Sequence, residues 1–136
     1  MTPDLSALFE AAKTVRANAH APYSNFPVGA ALRDEQGRIH AGCNVENAAY
    51  PVGTCAEAGA IAAMVAGGGR AIRAILVLGE GRGLVTPCGA CRQRIREFAP
   101  GATPVHVAGP EGLRRSYTLD ALLPESFGPE TLRADA

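Results

Sequence analysis

Thr54-Cys55-Ala56-Glu57, taken with Thr86-Pro87-Cys88-Gly89-Ala90-Cys91, is the sequence on which the reading of this chain turns. Three cysteines can hold one metal ion. Structural zinc sites normally close their tetrahedron with four protein ligands, whereas catalytic sites keep three and leave a position for water. The two stretches together offer three, and Glu57 stands just beyond the first, placed to work beside a metal without necessarily binding it. Both stretches also read as helix starts. Thr54 is a candidate N-cap with Glu57 at the third helical position, and Thr86 precedes a proline suited to the first. Near a helix N-terminus the free backbone N–H groups and the positive end of the dipole favour thiolate over thiol. Each half alone has a plainer reading: Thr-x-x-Glu is a capping box, and C-x-x-C serves equally as a redox pair, half of a structural zinc site or two buried thiols. Their coincidence points to one catalytic Zn2+ per chain, with Cys55, Cys88 and Cys91 as the three available ligands and the Glu57 carboxylate beside them.

Working outward, the helix after Thr54 contains Ala60-Ile61-Ala62-Ala63-Met64-Val65-Ala66 and stops at Gly67-Gly68-Gly69. A helix apolar on nearly every side is expected to be buried between the sheet and another layer or subunit. Ala71 to Leu78 reads as a continuous apolar strand at the sheet centre. The second metal-side helix is expected from Pro87 to about Phe98, ending before Pro100. Upstream, Leu5, Leu8, Phe9, Ala12 and Val15 recur at helical spacing within a helix from about Pro3 to Ala19. Pro22 and Pro27 bracket an irregular loop. Val28 to Leu32 then forms a strand, the turn Asp34-Glu35-Gln36-Gly37 reverses the chain, and Arg38 to Val45 returns as the second arm of a hairpin. This places Phe26 and Asn44-Val45-Glu46-Asn47 at the ends of neighbouring strands, where side chains can converge on a ligand. Val105-His106-Val107 and Arg115 to Thr118 supply short later strands. Leu119 to Leu123 reads as a helical turn stopped by Pro124, and Ser126 to Pro129 as irregular chain. The order of elements predicts a three-layer α/β/α sandwich with a central mixed five-stranded sheet. Its early pairing is antiparallel and its later crossovers parallel, and both metal-side helices present their N-termini to one site.

The chain of 136 residues fits a single domain, 1–136, with no linker dividing it. Thirteen basic and 13 acidic residues cancel, which argues for a small or weakly charged ligand rather than nucleic acid. No apolar run is long enough to span a bilayer and no secretory h-region is present, so the expected compartment is the cytoplasm, with no membrane partner. The metal-like spacing of three of the 4 cysteines suits a reducing compartment better than a pair of disulfides would. Cys43 lies outside both clusters and reads as a small packing residue. His20, His40 and His106 fall in no ligand spacing.

Cys55-x-Glu57 followed by Pro87-Cys88-x-x-Cys91 matches the three-cysteine form of the zinc-deaminase pattern. At these residues the chain resembles the small, homotetrameric cytidine deaminase family. The resemblance extends through Tyr23-Ser24-Asn25-Phe26-Pro27-Val28-Gly29-Ala30-Ala31-Leu32, Asn44-Val45-Glu46-Asn47-Ala48-Ala49-Tyr50-Pro51, Arg92-Gln93 and Leu122-Leu123-Pro124-Glu125-Ser126-Phe127-Gly128-Pro129. It implies hydrolytic deamination of cytidine and 2'-deoxycytidine to uridine and 2'-deoxyuridine, as in pyrimidine salvage. Cys55, Cys88 and Cys91 then bind zinc while Glu57 shuttles protons. The same resemblance implies that Asn44 and Glu46 hold the ribose 3'-hydroxyl, that Phe26 packs on the base and that the backbone of Ala56 contacts the pyrimidine. It also implies a homotetramer in which Phe127 reaches a neighbouring subunit's site. By the residues alone, Phe26 serves equally as core, Asn44 as a turn residue and Glu46 as a solvated strand end.

One position departs from the family. Arginine commonly follows the catalytic glutamate, and here Ala58 does. Three thiolates around Zn2+ leave a net charge of about −1, which calls for positive potential nearby. Arg92 is the nearest basic residue in sequence to stand over the thiolates, with a surface role and compensation by the helix dipoles as alternatives. Two other functions stay open at this point. A blasticidin-like aminonucleoside deaminase shares the zinc motif and need not carry that arginine, though Asn44-x-Glu46-Asn47 favours cytidine. A zinc-stabilised binding module would use Glu57 only as a cap.

Overall fold

The computed structural model describes residues 1–133. Helix α1 (Pro3–Arg16) is followed by β1 (Gly29–Asp34), β2 (Ile39–Cys43), α2 (Ala56–Ala66), β3 (Ile72–Leu78), α3 (Gly89–Phe98), β4 (Pro104–Gly109), β5 (Gly112–Thr118) and the short helices α4 (Leu119–Leu122) and α5 (Pro129–Leu132). The five strands form one sheet in the order β2-β1-β3-β4-β5. β1 runs antiparallel to both β2 and β3, β3 and β4 are parallel, and β4 and β5 are antiparallel. The predicted mixed sheet is therefore present. The last strand is longer than expected and returns beside β4 through a tight turn ending at Gly112, whose φ of +133° suits glycine.

Alternation along the strands sorts side chains onto two faces. Leu8, Phe9 and Ala12 of α1 pack against Ala31, Leu76, Leu78 and Ala108 on one face. On the other, Ala60, Ile61 and Met64 of α2 and Ile95 of α3 pack against Ala30, Leu32, Ile75 and Val105. These are the outer layers of an α/β/α sandwich. Burying each large aliphatic side chain stabilises the fold by about 1.5 to 3 kcal/mol.

α2 lies closer to the sheet than ordinary side chains permit. Gly42 of β2 sits under Ala56, Gly59 and Ala60, so a methyl group there would overlap α2 backbone. The helix ends in a Schellman motif: Gly68 takes φ +94°, its N–H bonds Val65 O at 3.0 Å, and Gly69 N–H bonds Met64 O at 2.9 Å. The face of α2 turned away from the sheet, with Ala62, Ala63 and Ala66, is exposed in the single chain.

Topology explains why one end of the sheet carries the chemistry. Gly29 is in register with Cys43 on one side and Leu78 on the other. Since β1 is antiparallel to both neighbours, β2 and β3 point the same way and end together where β1 begins. From Cys43 the chain passes through residues 44–55 into α2, and from Leu78 through residues 79–88 into α3. With residues 17–28, which lead into β1 at the same end, three segments thus meet beyond those strand ends, the position where α/β sheets commonly bind ligands.

Candidate active site

Cys55 and Cys88, not Thr54 and Thr86, are the N-caps of α2 and α3. Both have extended backbone, ψ 160° and 168°, and neither side chain closes a capping hydrogen bond, although the Cys88 sulfur faces the Ala90 and Cys91 N–H groups. The capping box expected at Thr54 is consequently absent: Glu57 is the second helical residue, and Thr54 is exposed, pairing its backbone with Val45 at 2.9 and 3.0 Å. Pro87 likewise precedes the helix. Cys91, one turn into α3, is fully buried.

The sulfur atoms of Cys55, Cys88 and Cys91 all lie within 4.8 Å of one another. Tetrahedral thiolates at about 2.3 Å from Zn2+ would stand roughly 3.8 Å apart, so the donor set fits that ion. Its electrostatics also fit. Burial raises the Cys55 and Cys91 thiols; at Cys55 the Cys91 thiol opposes this by hydrogen bonding while Cys88 and Glu57 add to it, and at Cys91 the charges of Glu57, Cys55 and Cys88 all add to it. At Cys88 burial acts in the same sense, but N–H groups of Cys91 and Ala90 and the neighbouring thiols outweigh it and hold this thiol below its usual range. A divalent cation relieves the mutual repulsion of such a cluster. Cys43 ends β2, half-buried and outside the cluster.

Glu57 is 4% exposed. Burial raises its carboxyl, opposed by its own backbone N–H, the charge of Arg94 and the Cys91 thiol. The carboxyl lines a cleft of about 370 Å3 together with Phe26, Asn44, Glu46, Ala56 and Cys88. Tyr50, Val85 and Thr86 also line it, none of which the sequence alone had placed at the site. Tyr50 belongs to an unanticipated 3-10 turn, Tyr50–Val52, and its ring lies 5.8 Å from that of Tyr23.

Asn44 and Glu46 shape the cleft wall. Asn44 Nδ2 donates to Phe26 O at 3.0 Å and Asn44 Oδ1 accepts from Val28 N–H at 2.9 Å, so one amide fixes the entry to β1. Glu46 Oε1 accepts from Tyr23 and Ser24 N–H at 3.0 and 3.1 Å, and Oε2 from the Ser24 hydroxyl. The Ser24 hydroxyl is the largest influence holding this carboxyl below its ordinary range. Phe127 is 55% exposed and does not line the cleft of its own chain; its carbonyl accepts from Gln93 Nε2 at 2.8 Å.

The structure moves the expected arginine. Side chains in a helix lean toward its N-terminus, and Arg92 reaches back past Cys88 to donate to Pro87 O at 2.7 Å and Thr86 Oγ1 at 3.2 Å, and across to Leu122 O at 2.7 Å. Arg94 instead points its Nη1 at Cys91 Sγ, 3.4 Å away. The signal available in sequence was the i,i+3 spacing of Cys91 and Arg94.

Two helix N-termini brought to one sheet end, three thiols within reach of a single ion and a buried carboxylate beside them define a metal-dependent hydrolytic site. The family described as "Cytidine and deoxycytidylate deaminase zinc-binding region" matches residues 2–107. A curated cytidine deaminase from Sporosarcina psychrophila is 44% identical over 129 residues, covering 95% of this chain and 95% of the relative. The crystal structure of cytidine deaminase from Burkholderia pseudomallei superposes with a TM-score of 0.85 at 45% identity, covering 93% of this chain and 100% of that one. That from Mycobacterium tuberculosis gives 0.80 at 35% identity, covering 93% and 99%. The chain belongs to the cytidine deaminase family of zinc-dependent hydrolytic deaminases.

Proposed function

We propose that the chain hydrolyses cytidine and 2'-deoxycytidine to uridine and 2'-deoxyuridine with release of ammonia. The observation that carries this reading is the placement of Glu57, buried beside the cysteine cluster at the foot of the cleft, in a helical position that caps nothing. Cys55, Cys88 and Cys91 hold one Zn2+, which when bound supplies a Lewis acid that makes water nucleophilic near neutral pH. Glu57 takes one proton of the attacking water and delivers it to N3 of the pyrimidine as C4 is attacked, then takes the second proton from the new C4 hydroxyl and passes it to the amino group, which leaves as ammonia while the C4 carbonyl forms. Burial favours its protonated form and so suits it to hold that proton between steps.

Phe26 packs on the base and the backbone of Ala56 contacts the pyrimidine. Asn44 and Glu46 receive the ribose 3'-hydroxyl; their engagement with the residue 23–28 loop holds both groups in place before substrate arrives. The working protein is a cytoplasmic homotetramer in pyrimidine salvage, a single domain over residues 1–136, with Phe127 completing a neighbour's site. Residues 134–136 lie outside the described residues. The exposed Phe127 ring and the exposed alanines of α2 support assembly. Among the described residues, no helix is long and apolar enough to cross a membrane.

Ammonia release from a panel of cytidine, 2'-deoxycytidine, cytosine and an aminonucleoside of the blasticidin type tests the reading. The two cytosine nucleosides are expected to be the best substrates. Preference for the aminonucleoside would replace the substrate assignment, and no ammonia from any member by the zinc-loaded protein would leave a binding module.

A further inference from the structure

Three thiolates holding one Zn2+ carry a net charge of about −1, and a cation close to the sulfurs stabilises that charge. α2 supplies none, since no residue from Ala56 to Ala66 is basic and Ala58 follows Glu57. α3 carries three arginines turned to different partners. Arg92 and Arg96, one turn apart, end on oxygen atoms: Arg92 holds Thr86, Pro87 and Leu122, and Arg96 holds Ser126 at 2.9 Å and pairs with Glu130. Arg94 lies on another side of the helix, one turn after Cys91, and its guanidinium ends on sulfur. Among the described residues it is the cationic side chain that hydrogen-bonds a member of the cysteine cluster.

We propose that Arg94 is a positioning residue for the metal centre, donating to Cys91 Sγ and offsetting the charge of the three thiolates when they hold Zn2+. The guanidinium suits this role because it stays charged at any working pH and presents several N–H donors in one plane. Its base is on the same helix as Cys88 and Cys91, so the charge is supplied from the second cysteine pair rather than from the helix that carries Cys55. The inference rests on the three-cysteine zinc reading.

The test compares zinc-loaded wild type with Arg94→Gln, Arg94→Lys and Arg73→Gln. Arg73 is an exposed cation at the opposite end of β3 and controls for net charge. Zinc release to a chromophoric chelator should be roughly fivefold to tenfold faster in Arg94→Gln, the scale of one partly exposed charge-assisted hydrogen bond. In cobalt-substituted protein the same variant should move the thiolate-to-metal charge-transfer band to lower energy, because a sulfur that loses a donor holds its electrons less tightly. Arg94→Lys should recover part of both effects, and Arg73→Gln should match wild type. An unshifted band with wild-type release in Arg94→Gln, or equal losses in Arg94→Gln and Arg73→Gln, would overturn the proposal. Wild-type protein that binds no zinc would instead remove the underlying metal assignment.

Discussion

Cys55 and Cys88 occupy equivalent places in their helices, each the N-cap of the helix that follows, and each keeps its side chain out of the capping bond. Residues preferred at N-caps bond the helix N–H groups themselves. These two cysteines leave their sulfurs free to meet a third from Cys91. Cys88→Ala should therefore lose zinc and turnover together, while helix content changes little because the side chain closes no capping bond. Metal analysis of purified protein with circular dichroism checks both halves. Full activity in a metal-free preparation would refute the assignment.

Glu57 is separated from the cluster's ligands by role rather than by distance. As a proton carrier its replacement by glutamine should retain zinc and fold but lower turnover by at least about 100-fold, the usual scale of general acid-base catalysis. A residue that only capped its helix would cost about 0.5 to 2 kcal/mol of stability and little rate. Metal content, melting temperature and initial rates on one preparation separate these outcomes, and near-normal turnover would remove the catalytic assignment.

Much of this arrangement was legible in the chain because it rests on short-range signals. The strand Ile72–Leu78, apolar apart from the exposed Arg73, and the turn after Asp34 gave the centre of the sheet and its first hairpin, and the cysteine spacing gave the ligand set. What escaped depends on where side chains reach. Thr54 looks like a cap in sequence, but its backbone is drawn into pairing with Val45, which shifts the helix start by one residue. Arg92 and Arg94 differ in sequence position by only two, yet a helix turns them about 200° apart, to the C-terminal segment and to the metal site respectively. Tyr50 enters the cleft on a 3-10 turn that no periodicity announces.

Asn44 bonds the backbone on both sides of Pro27, so it sets the wall of the cleft as well as offering a group to the sugar. Asn44→Ala should raise KM for cytidine more than it lowers kcat, and free cytosine should be a poor substrate that the variant handles no worse than wild type. Leaving Val28 N–H and Phe26 O unpartnered costs about 1 to 3 kcal/mol where they are buried. Steady-state kinetics on cytidine, its 3'-deoxy analogue and cytosine give the comparison; equal specificity constants for cytosine and cytidine in wild type would remove the sugar-binding assignment.

Asp34 supplies a pH dependence that is independent of the site. It is fully buried at the end of β1, accepting from Gln36 and Arg38 N–H and from Arg38 Nε, each at 2.9 Å, with His40 Nε2 also 2.9 Å away. Burial raises its carboxyl, but the His40 and Arg38 side chains and the two backbone N–H groups outweigh this and hold it far below the ordinary carboxylate range. A folded-state pKa depressed in this way contributes stability that is complete above the unfolded value of about 3.9 and is lost as pH falls toward the folded one. The stability gap between wild type and Asp34→Asn should thus be constant from pH 7 to about 5 and narrow below about 4. Urea midpoints across that range measure it, and a gap that widened on acidification would reverse the assignment.

Gly42 links the fold to the chemistry. Its Cα hydrogens face the first turns of α2, where an added methyl group would overlap Ala56 O, Gly59 and Ala60 N, all of them backbone atoms that no rotamer change can move. The residues displaced are those that flank Glu57 and follow Cys55, so relief by sliding α2 outward shifts the catalytic carboxylate and one ligand relative to Cys88 and Cys91 on α3. Overpacking of this kind costs about 1 to 3 kcal/mol. Gly42→Ala should consequently lower both the urea midpoint and kcat. Gly37→Ala provides the contrast: its φ of +82° also disfavours alanine, but the position is open and lies in the hairpin turn at the other end of β1. That variant should lose stability while the folded fraction keeps wild-type turnover. If Gly42→Ala behaved in the same way, with kcat per folded molecule intact, the seating of α2 on β2 would matter to stability alone.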